Sequence, residues 1–579
     1  MPVPKEISKV ETIKETSRGL RGKLAQDLDD SAAGFDEAGK QLLKFHGLYQ
    51  NDDRDTRRER KKQGLDPAYA FMVRARIPGG VITADQYLAL DALSEQHADG
   101  DIRLTTRQAV QFYGIVKGDI KGTFQDLNDA LITTLGACGD VVRNVMCCPA
   151  PHEDREHLHA TCESLSDRLL PQTRAYHEIW LDGEKVVDTK QEVEPIYGNA
   201  YLPRKLKIGI ALPDDNCVDV HTQDIGLIAI VEDGVLQGFN VLVGGGLGMT
   251  HGKEQTYPRL GSPIGFASAD VVRRVVEGII TIQRDFGNRE DRKQARLKYL
   301  IDDRGLDWFR TELHTRIGFE LPPSAPTDPI QVDDHMGWHR QDGDSWYLGL
   351  PVENGRIRDD GSLQLRTALR EVIQKHRPGV RITPQQSILL TDVAEEAIHQ
   401  IDAAFRSHGV RLVEDITPAR RWAMGCPALP TCSLALAESE RVLPGLVGEI
   451  ETELDNLGLG DEPIAIRMTG CPNGCARPFT AELAFVGRTL DKYNIYLGGN
   501  AEGTRLTEIY AEAIPTRDLV ATVLPLFESW AEDRCPGERF GDYCDRIGVD
   551  ELREHVELES RVPRPAARPP VITTMTGGT

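Results

Sequence analysis

Apolar and polar positions first fall into a regular pattern near residue 70. Phe71-Met72-Val73-Arg74-Ala75-Arg76-Ile77 alternates with period two, as a half-buried strand does. Pro78-Gly79-Gly80 ends it, and the spacing predicts a helix over 83–97 with Thr83 as its N-cap. Residues 102–112 alternate again, which puts Arg103, Thr105 and Arg107 on one face of a strand. A further helix is expected at about 122–135. Strand, helix, strand, helix is the order of an α+β, ferredoxin-like unit.

The unit recurs. Gly379-Val380-Arg381-Ile382-Thr383-Pro384-Gln385-Gln386 echoes Asp101-Ile102-Arg103-Leu104-Thr105-Thr106-Arg107-Gln108, an offset of 278 from Arg103 to Arg381. The same offset carries Cys148-Pro149-Ala150 onto Cys426-Pro427-Ala428, Met146 onto Met424 and Arg143 onto Arg421. With a shorter offset, Asn240-Val241-Leu242-Val243-Gly244-Gly245 resembles Asn494-Ile495-Tyr496-Leu497-Gly498-Gly499. The chain therefore reads as two diverged copies of one module, each a ferredoxin-like half-domain plus a larger α/β lobe, related by a pseudo-twofold. The expected division is a polar arm over 1–65, half-domains over 66–140 and 326–415, and lobes over 141–325 and 416–560. A disordered Pro-rich tail is expected over 561–579. Residues 320–335, rich in Pro and Asp, read as a linker.

Charge sharpens this picture. The net charge of −22 excludes general nucleic-acid binding, which needs a basic face. It also makes local cations informative. The first copy carries Arg74, Arg76, Arg103, Arg107, Arg143 and Arg204-Lys205-Leu206-Lys207, where Lys205 and Lys207 share a face. Alternating cations suit a ligand with several carboxylates or a small oxyanion. The basic helical stretch over 291–299 and the mixed run over 54–62 read as solvated faces with local ion pairs, the latter with a docking role as the alternative. No apolar run approaches the roughly 18 residues that span a membrane, and Met1-Pro2-Val3-Pro4-Lys5-Glu6 opens no signal-peptide core, so a cytoplasmic protein is expected.

Eleven cysteines in such a chain imply thiols and metal ligands rather than disulfides. Cys426-x5-Cys432 and Cys471-x3-Cys475 lie beside Pro and Gly in loops, where backbone N–H groups are free to face sulfur. Four such thiolates suit one iron–sulfur cluster or one zinc ion, and spacing leaves both open. Cys138, Cys147, Cys148, Cys162, Cys217, Cys535 and Cys544 read as buried or ordinary thiols, and the repeat makes Cys148 a vestigial counterpart of Cys426. Gly244-Gly245-Gly246-Leu247-Gly248 has neither dinucleotide-binding nor P-loop spacing, so a redox enzyme on this chain needs an outside electron donor.

The two cysteine pairs closely resemble the signature of the sulfite and nitrite reductase hemoproteins. So do Ile77-Pro78-Gly79-Gly80-Val81-Ile82-Thr83, Arg103-Leu104-Thr105-Thr106-Arg107-Gln108, Arg143-Asn144-Val145, Tyr201-Leu202-Pro203-Arg204-Lys205-Leu206-Lys207, residues 238–247 and Arg289-Glu290-Asp291-Arg292-Lys293. The likeness covers roughly residues 40 to 545 and is greatest to the NADPH-dependent assimilatory branch. It implies two copies of a sulfite-reductase repeat that bind siroheme and a 4Fe-4S cluster and reduce sulfite to sulfide with six electrons. By motif match, Cys426, Cys432, Cys471 and Cys475 ligate the cluster and Cys475 also bridges to the siroheme iron. Arg103, Thr105, Arg107, Gln111, Arg204, Arg296 and Asn473 hold siroheme, while Arg74, Arg143, Lys205 and Lys207 bind sulfite and supply protons. The implied partner is a flavoprotein reductase that takes electrons from NADPH. The alternative is a ferredoxin-dependent sulfite or nitrite reductase.

Overall fold

A computed structural model describes residues 7–559, apart from 152, 173–178, 182–183, 188–193, 329 and 342. The expected tail over 561–579 lies outside the described residues. No described helix is long and apolar enough to cross a membrane.

Four five-stranded sheets carry the fold, two in each half. The first half-domain orders Leu48–Asp52, Tyr69–Arg74, Val110–Ile115, Ile102–Leu104 and Arg356–Ile357. The second orders Gly337–Arg340, Ser345–Leu350, Ile388–Ala394, Gly379–Ile382 and Val81–Ile82. Each sheet thus takes its last strand from the other half. Ile82 pairs with Val380, and Ile357 with Ile102. Glycine permits the exchange. A Cβ on Gly80 would stand 2.4 Å from the Ile382 carbonyl oxygen, and one on Gly355 2.4 Å from that of Leu104. The two half-domains consequently share one core, in which Phe71, Val73, Leu104 and Phe112 meet Leu348, Val380, Ile388 and Leu390. Each lobe has a core of its own.

The lobe sheets match element for element. Met146–Cys147, Ile208–Ala211 and Ile225–Glu232 run parallel in one, and Met424–Gly425, Ile466–Thr469 and Leu483–Thr489 in the other. In both, the second strand leads to a left-handed residue and a 3₁₀ turn: Asp219 (φ 50°) before Val220–Thr222, and Arg477 (φ 55°) before Pro478–Thr480. These equivalent residues pair with each other, Arg477 Nη1 to Asp219 Oδ2 at 2.6 Å, so the pseudo-twofold passes between them.

The helix expected at 83–97 is Ala84–His97, closed by a capping box in which Gln86 N donates to Thr83 Oγ1 at 3.1 Å and Thr83 N donates to Gln86 Oε1 at 3.0 Å. Thr83→Ala is expected to cost about 1 kcal/mol, read as a lower urea midpoint with an unchanged slope. The next helix, Ile120–Asp129, is shorter than expected because the chain turns at Leu131 (φ 57°) to pair Thr133 with Arg76.

One expectation needs correction. Residues 102–112 form a hairpin rather than one strand, with Arg103 opposite Gln111 and Gln108 left-handed (φ 50°) in the turn. Thr105 causes it, since its Oγ1 accepts from the backbone N–H of both Arg107 and Ala109 at 3.2 Å. Arg103 and Arg107 therefore do not share a face. The N-terminal arm is folded onto the body through Asp52. Leu48–Asp52 is an edge strand, and Leu20, Phe35, Leu42 and Phe45 are buried. Its polarity is satisfied internally: the buried Lys14 ammonium lies 2.6 Å from the Glu11 carboxylate, 2.6 Å from the Leu202 carbonyl and 3.5 Å from Asp140.

Candidate functional site

Between the lobes lies a cavity of ≈ 960 Å³ that opens to solvent. Arg107, Arg204, Lys205, Lys207, Arg292, Lys293, Arg296 and Arg477 line it, and among the described residues no Asp or Glu does. Its remaining wall includes Thr106, Gln223, Met249, Tyr299 and the loop Asn473-Gly474-Cys475.

Carboxylates behind the wall position this cationic surface. Asp140 holds Arg292 at 2.8 Å and Arg204 at 3.8 Å. Burial alone would raise Asp140, but Arg292, Lys14 and Arg204 outweigh it and keep its carboxyl well below the usual range. Asp224 holds Arg296 at 2.7 Å and accepts the Lys207 backbone N–H at 2.9 Å, which fixes the strand entrance where Lys207 projects. Arg107 Nη2 donates to the Ile208 carbonyl at 2.8 Å and Nη1 to Gln223 at 2.9 Å. The glycine run explains the close packing. A Cβ on Gly246 would stand 2.7 Å from the Arg296 guanidinium, and one on Gly248 3.1 Å from the Asn473 carbonyl oxygen. Lys205 and Lys207 have no side-chain partner among the described residues. Burial first, then Arg107 and Arg296, pull Lys207 down to about 7 against the pull of Asp224 and Cys475. Burial first, then Lys207, Arg204 and Arg143, pull Lys205 well below its ordinary value.

The four cysteines of the second lobe lie near enough to influence one another, and Cys475 carries the group to the cavity wall. Cys426 follows the strand Met424–Gly425, and Cys471 follows Ile466–Thr469. The Gly470 N–H donates to Cys426 Sγ at 3.3 Å, and Asn473 Nδ2 to Cys471 Sγ at 3.4 Å. Backbone N–H groups of Leu434 and Ala435 face Cys432, and that of Asn473 faces Cys471. Cys426, Cys432 and Cys471 are each raised by burial first and then by the Cys475 thiolate, Cys471 to about 12. All three thus feel the charge of Cys475, the one exposed member, which lines the cavity. Such a set favours a cation that neutralises four sulfurs at once.

Of the residues singled out in the sequence, Arg107, Arg204, Lys205, Lys207, Arg296, Asn473 and Cys475 come together on the wall. Arg143 stands behind it, its Nε donating to the Gly139 carbonyl at 2.8 Å, close enough to depress Lys205. Arg74 donates to Cys138 Sγ at 3.1 Å, and the Gln111 side-chain carbonyl accepts from Arg74 Nε at 3.0 Å in the orientation that satisfies both ends of the amide. Thr105 shapes the turn that presents Arg107. Arg103 does not reach the wall, being buried in an ion pair with Glu440. Cys147 and Cys148 do not line the cavity either.

The sequence reading missed Thr106, Arg292, Lys293 and Arg477. Thr106 Oγ1 donates to the Cys475 carbonyl at 2.9 Å. Arg292 and Lys293 belong to the stretch read as a solvated helix, whereas the chain there is a 3₁₀ turn, Arg292–Gln294, followed by Leu297–Arg304. Contacts invisible in sequence hold that turn over the cavity: Asp140 pairs with Arg292, and Asp291 accepts the Lys293 N–H at 2.9 Å.

The residues present fit siroheme and a 4Fe-4S cluster. Arg107 Nε and Arg477 Nε are buried without partners among the described residues, as donors awaiting an acidic ligand are, and Lys205 and Lys207 line the same wall. A tetrapyrrole with eight carboxylates would satisfy such a wall, at whose end Cys475 stands.

Comparison with known proteins agrees. The nitrite and sulphite reductase 4Fe-4S domain matches residues 162–321 and 418–564, and the nitrite/sulfite reductase ferredoxin-like half domain matches 63–130 and 339–408. The chain is 48% identical over 558 residues to the sulfite reductase (NADPH) hemoprotein beta-component of Oceanobacillus iheyensis, covering 96% of this chain and 97% of that one. To the protein of the same description from Geobacillus thermodenitrificans it is 50% identical over 548 residues, 94% and 96% of the two chains. The fold is that of the Mycobacterium tuberculosis NirA protein, with a TM-score of 0.76 at 23% identity over 95% of this chain and 98% of that one.

Proposed function

The chain belongs to the nitrite and sulphite reductase family, and from that premise we propose that this oxidoreductase reduces sulfite to sulfide as the hemoprotein component of an NADPH-dependent assimilatory sulfite reductase. One observation carries the reading: a wall of eight cations without an acid that ends at Cys475. Siroheme and a 4Fe-4S cluster, when bound, supply the path for the six electrons that this reduction takes. Cys426, Cys432, Cys471 and Cys475 would hold the cluster, and Cys475 would also be the axial ligand of the siroheme iron. Arg107, Arg204, Arg296 and Asn473 would hold siroheme, with Arg292, Lys293 and Arg477 added to that set. Thr105 and Gln111 would act through Arg107 and Arg74, and Arg103 would brace the hairpin.

Arg74, Arg143, Lys205 and Lys207 would bind sulfite, and the two lysines would deliver protons. A unit-charge pair at about 4 Å gains roughly 4 kcal/mol at an effective dielectric near 20, so a dianion beside two or three of these cations is held firmly. Each sulfite oxygen leaves as water only after protonation, and lysine serves as the donor because arginine keeps its proton. The test is a visible spectrum of the purified chain with iron and acid-labile sulfide analysis, followed by sulfite reduction with reduced methyl viologen. A strong visible chromophore, iron, labile sulfide and sulfide production are expected. A colourless, iron-free protein that is inert toward sulfite defeats the reading.

The electron donor we propose is a separate flavoprotein, and the helix Arg57–Lys62 is proposed as part of its docking surface. This helix buries none of its residues, and just before it Arg54 Nη1 donates to the carbonyls of Cys432, Ser433 and Ala435 at 3.1–3.3 Å, directly over the cluster loop. Deleting the arm would remove an edge strand and cannot isolate docking. Arg58→Glu with Lys61→Glu is the cleaner test. Flavoprotein-driven turnover is expected to fall while viologen-driven turnover is unchanged, and an equal response of the two would remove the helix from the interface.

A further inference from the structure

The first lobe holds a second group of metal-ligating side chains, at the place where the second lobe holds its four cysteines. Cys148, Asp215, Cys217 and His335 are all buried, and their ligand atoms lie within 4.8 Å of one another. Among the described residues no other set of His, Cys, Asp and Glu donors converges so closely. Symmetry accounts for two of the four. Cys148 follows the short strand Met146–Cys147 as Cys426 follows Met424–Gly425. Cys217 stands two residues before left-handed Asp219, as Cys475 stands two before left-handed Arg477. The remaining cysteines of the cluster motif have no counterpart here: Pro213 stands where Cys471 would be. Asp215 and His335 complete the set instead. His335 comes from the end of the stretch read as a linker, which is pinned to this lobe by hydrogen bonds from Asn216 N to the Gln331 carbonyl at 2.7 Å and from Gln331 N to the Pro213 carbonyl at 2.9 Å.

We propose that Cys148, Cys217, Asp215 and His335 bind a single zinc ion, a structural metal site separate from the siroheme and cluster sites. Two sulfurs, one imidazole nitrogen and one carboxylate oxygen are a four-donor set that suits tetrahedral zinc. The donors are aimed inward. Asp215 Oδ1 accepts the Cys217 N–H at 3.2 Å, which turns Oδ2 toward Cys148 Sγ at 2.6 Å and His335 Nε2 at 2.9 Å. His335 Nε2 lies 3.5 Å from Cys148 Sγ, while its Nδ1 lies 3.8 Å from the exposed Asp333 carboxylate. The formal charges also close. Two thiolates and a carboxylate carry three negative charges, zinc supplies two positive ones, and Arg155 supplies the third from 2.8 Å to both Cys148 Sγ and Asp215 Oδ2. The ion would tie the linker to two strands of the lobe, where the equivalent site in the other lobe carries the cluster.

The full chain, purified with its iron cofactors, incubated with Zn²⁺ and desalted, is analysed for metals and by zinc K-edge X-ray absorption, which iron does not obscure. One zinc per chain is expected, with two sulfur neighbours at about 2.3 Å and two nitrogen or oxygen neighbours at about 2.0 Å. Cys217→Ser and His335→Gln should lose zinc with iron content unchanged. Their affinity should fall by more than the ~10–100-fold that follows loss of an outer-shell partner. Absence of bound zinc, a four-sulfur shell (zinc held by the cluster cysteines), a Cys148–Cys217 disulfide, or equal zinc in both variants would each overturn the proposal. The absorption spectrum of the unaltered chain decides the matter even if neither variant folds.

Discussion

Cys475→Ser is expected to abolish sulfite reduction and to leave the chain deficient in iron and acid-labile sulfide. Cys475 is the one exposed member of its set, its carbonyl is held by Thr106, and its side chain alone among the four lines the cationic cavity. It is therefore the position from which one sulfur can serve both the cluster and the siroheme iron. A serine hydroxyl is a far harder ligand that does not give up its proton near neutral pH, so on the proposed assignment the substitution would remove a ligand at both centres. Loss of an outer-shell partner of a metal typically costs 10–100-fold, and loss of a shared ligand should cost more. Cys535→Ser is the control, because Cys535 is exposed and does not line the cavity. The measurements are iron and labile sulfide per chain, the visible spectrum, and viologen-driven sulfide production. Full iron content with normal turnover in Cys475→Ser would remove this residue from the site.

The duplication was legible because the copies retain local signals. Met146 and Met424 open equivalent parallel strands, and the offset of 278 that joins them also joins Gln108 to Gln386, both left-handed in equivalent hairpin turns. The family likeness was equally open, since it rests on contiguous motifs. What the chain hid is non-local. Exchange of Val81–Ile82 and Arg356–Ile357 between half-domains leaves no trace in two-residue segments, although Gly80 and Gly355 are its requirement. The alternation over 102–112 promised one strand because Thr105 is a good strand former whose hydroxyl chose the backbone instead. Arg292 and Lys293 looked solvated because helical spacing and a turn over a cavity share one residue pattern. Cys148 and Cys217 looked ordinary because no local spacing joins them, and their partner His335 arrives from more than a hundred residues away.

Lys207→Met is expected to keep the siroheme and cluster spectra yet release partly reduced sulfur species instead of sulfide. Lys207 projects into the cavity from a backbone fixed by Asp224, and its ammonium has no protein partner to lose, so the fold should tolerate the change. The chemistry should not. Burial, Arg107 and Arg296 pull Lys207 down to about 7, which leaves a proton available at neutral pH. Electrons still arrive in the methionine variant, but S–O cleavage stalls without that proton, and a general acid is worth about 10²-fold or more in the maximal rate. Lys207→Arg separates the two roles, because it keeps the charge and withholds the proton: the Michaelis constant for sulfite should stay near its unaltered value while the maximal rate falls. The sign of the pH dependence follows from the same depression. Lys207 is charged below about 7 and loses its charge above it, whereas a bound anion favours the charged form. Sulfite binding should therefore take up a proton above that point, and affinity should weaken as pH rises, by at most about tenfold per unit for one proton. The checks are anaerobic turnover with quantified sulfide and intermediates, and the Michaelis constant across pH 6–9. Normal sulfide yield at a normal rate in Lys207→Met, with an unaltered pH profile, would place the proton donor elsewhere on the wall, with Lys205 as the next residue to replace.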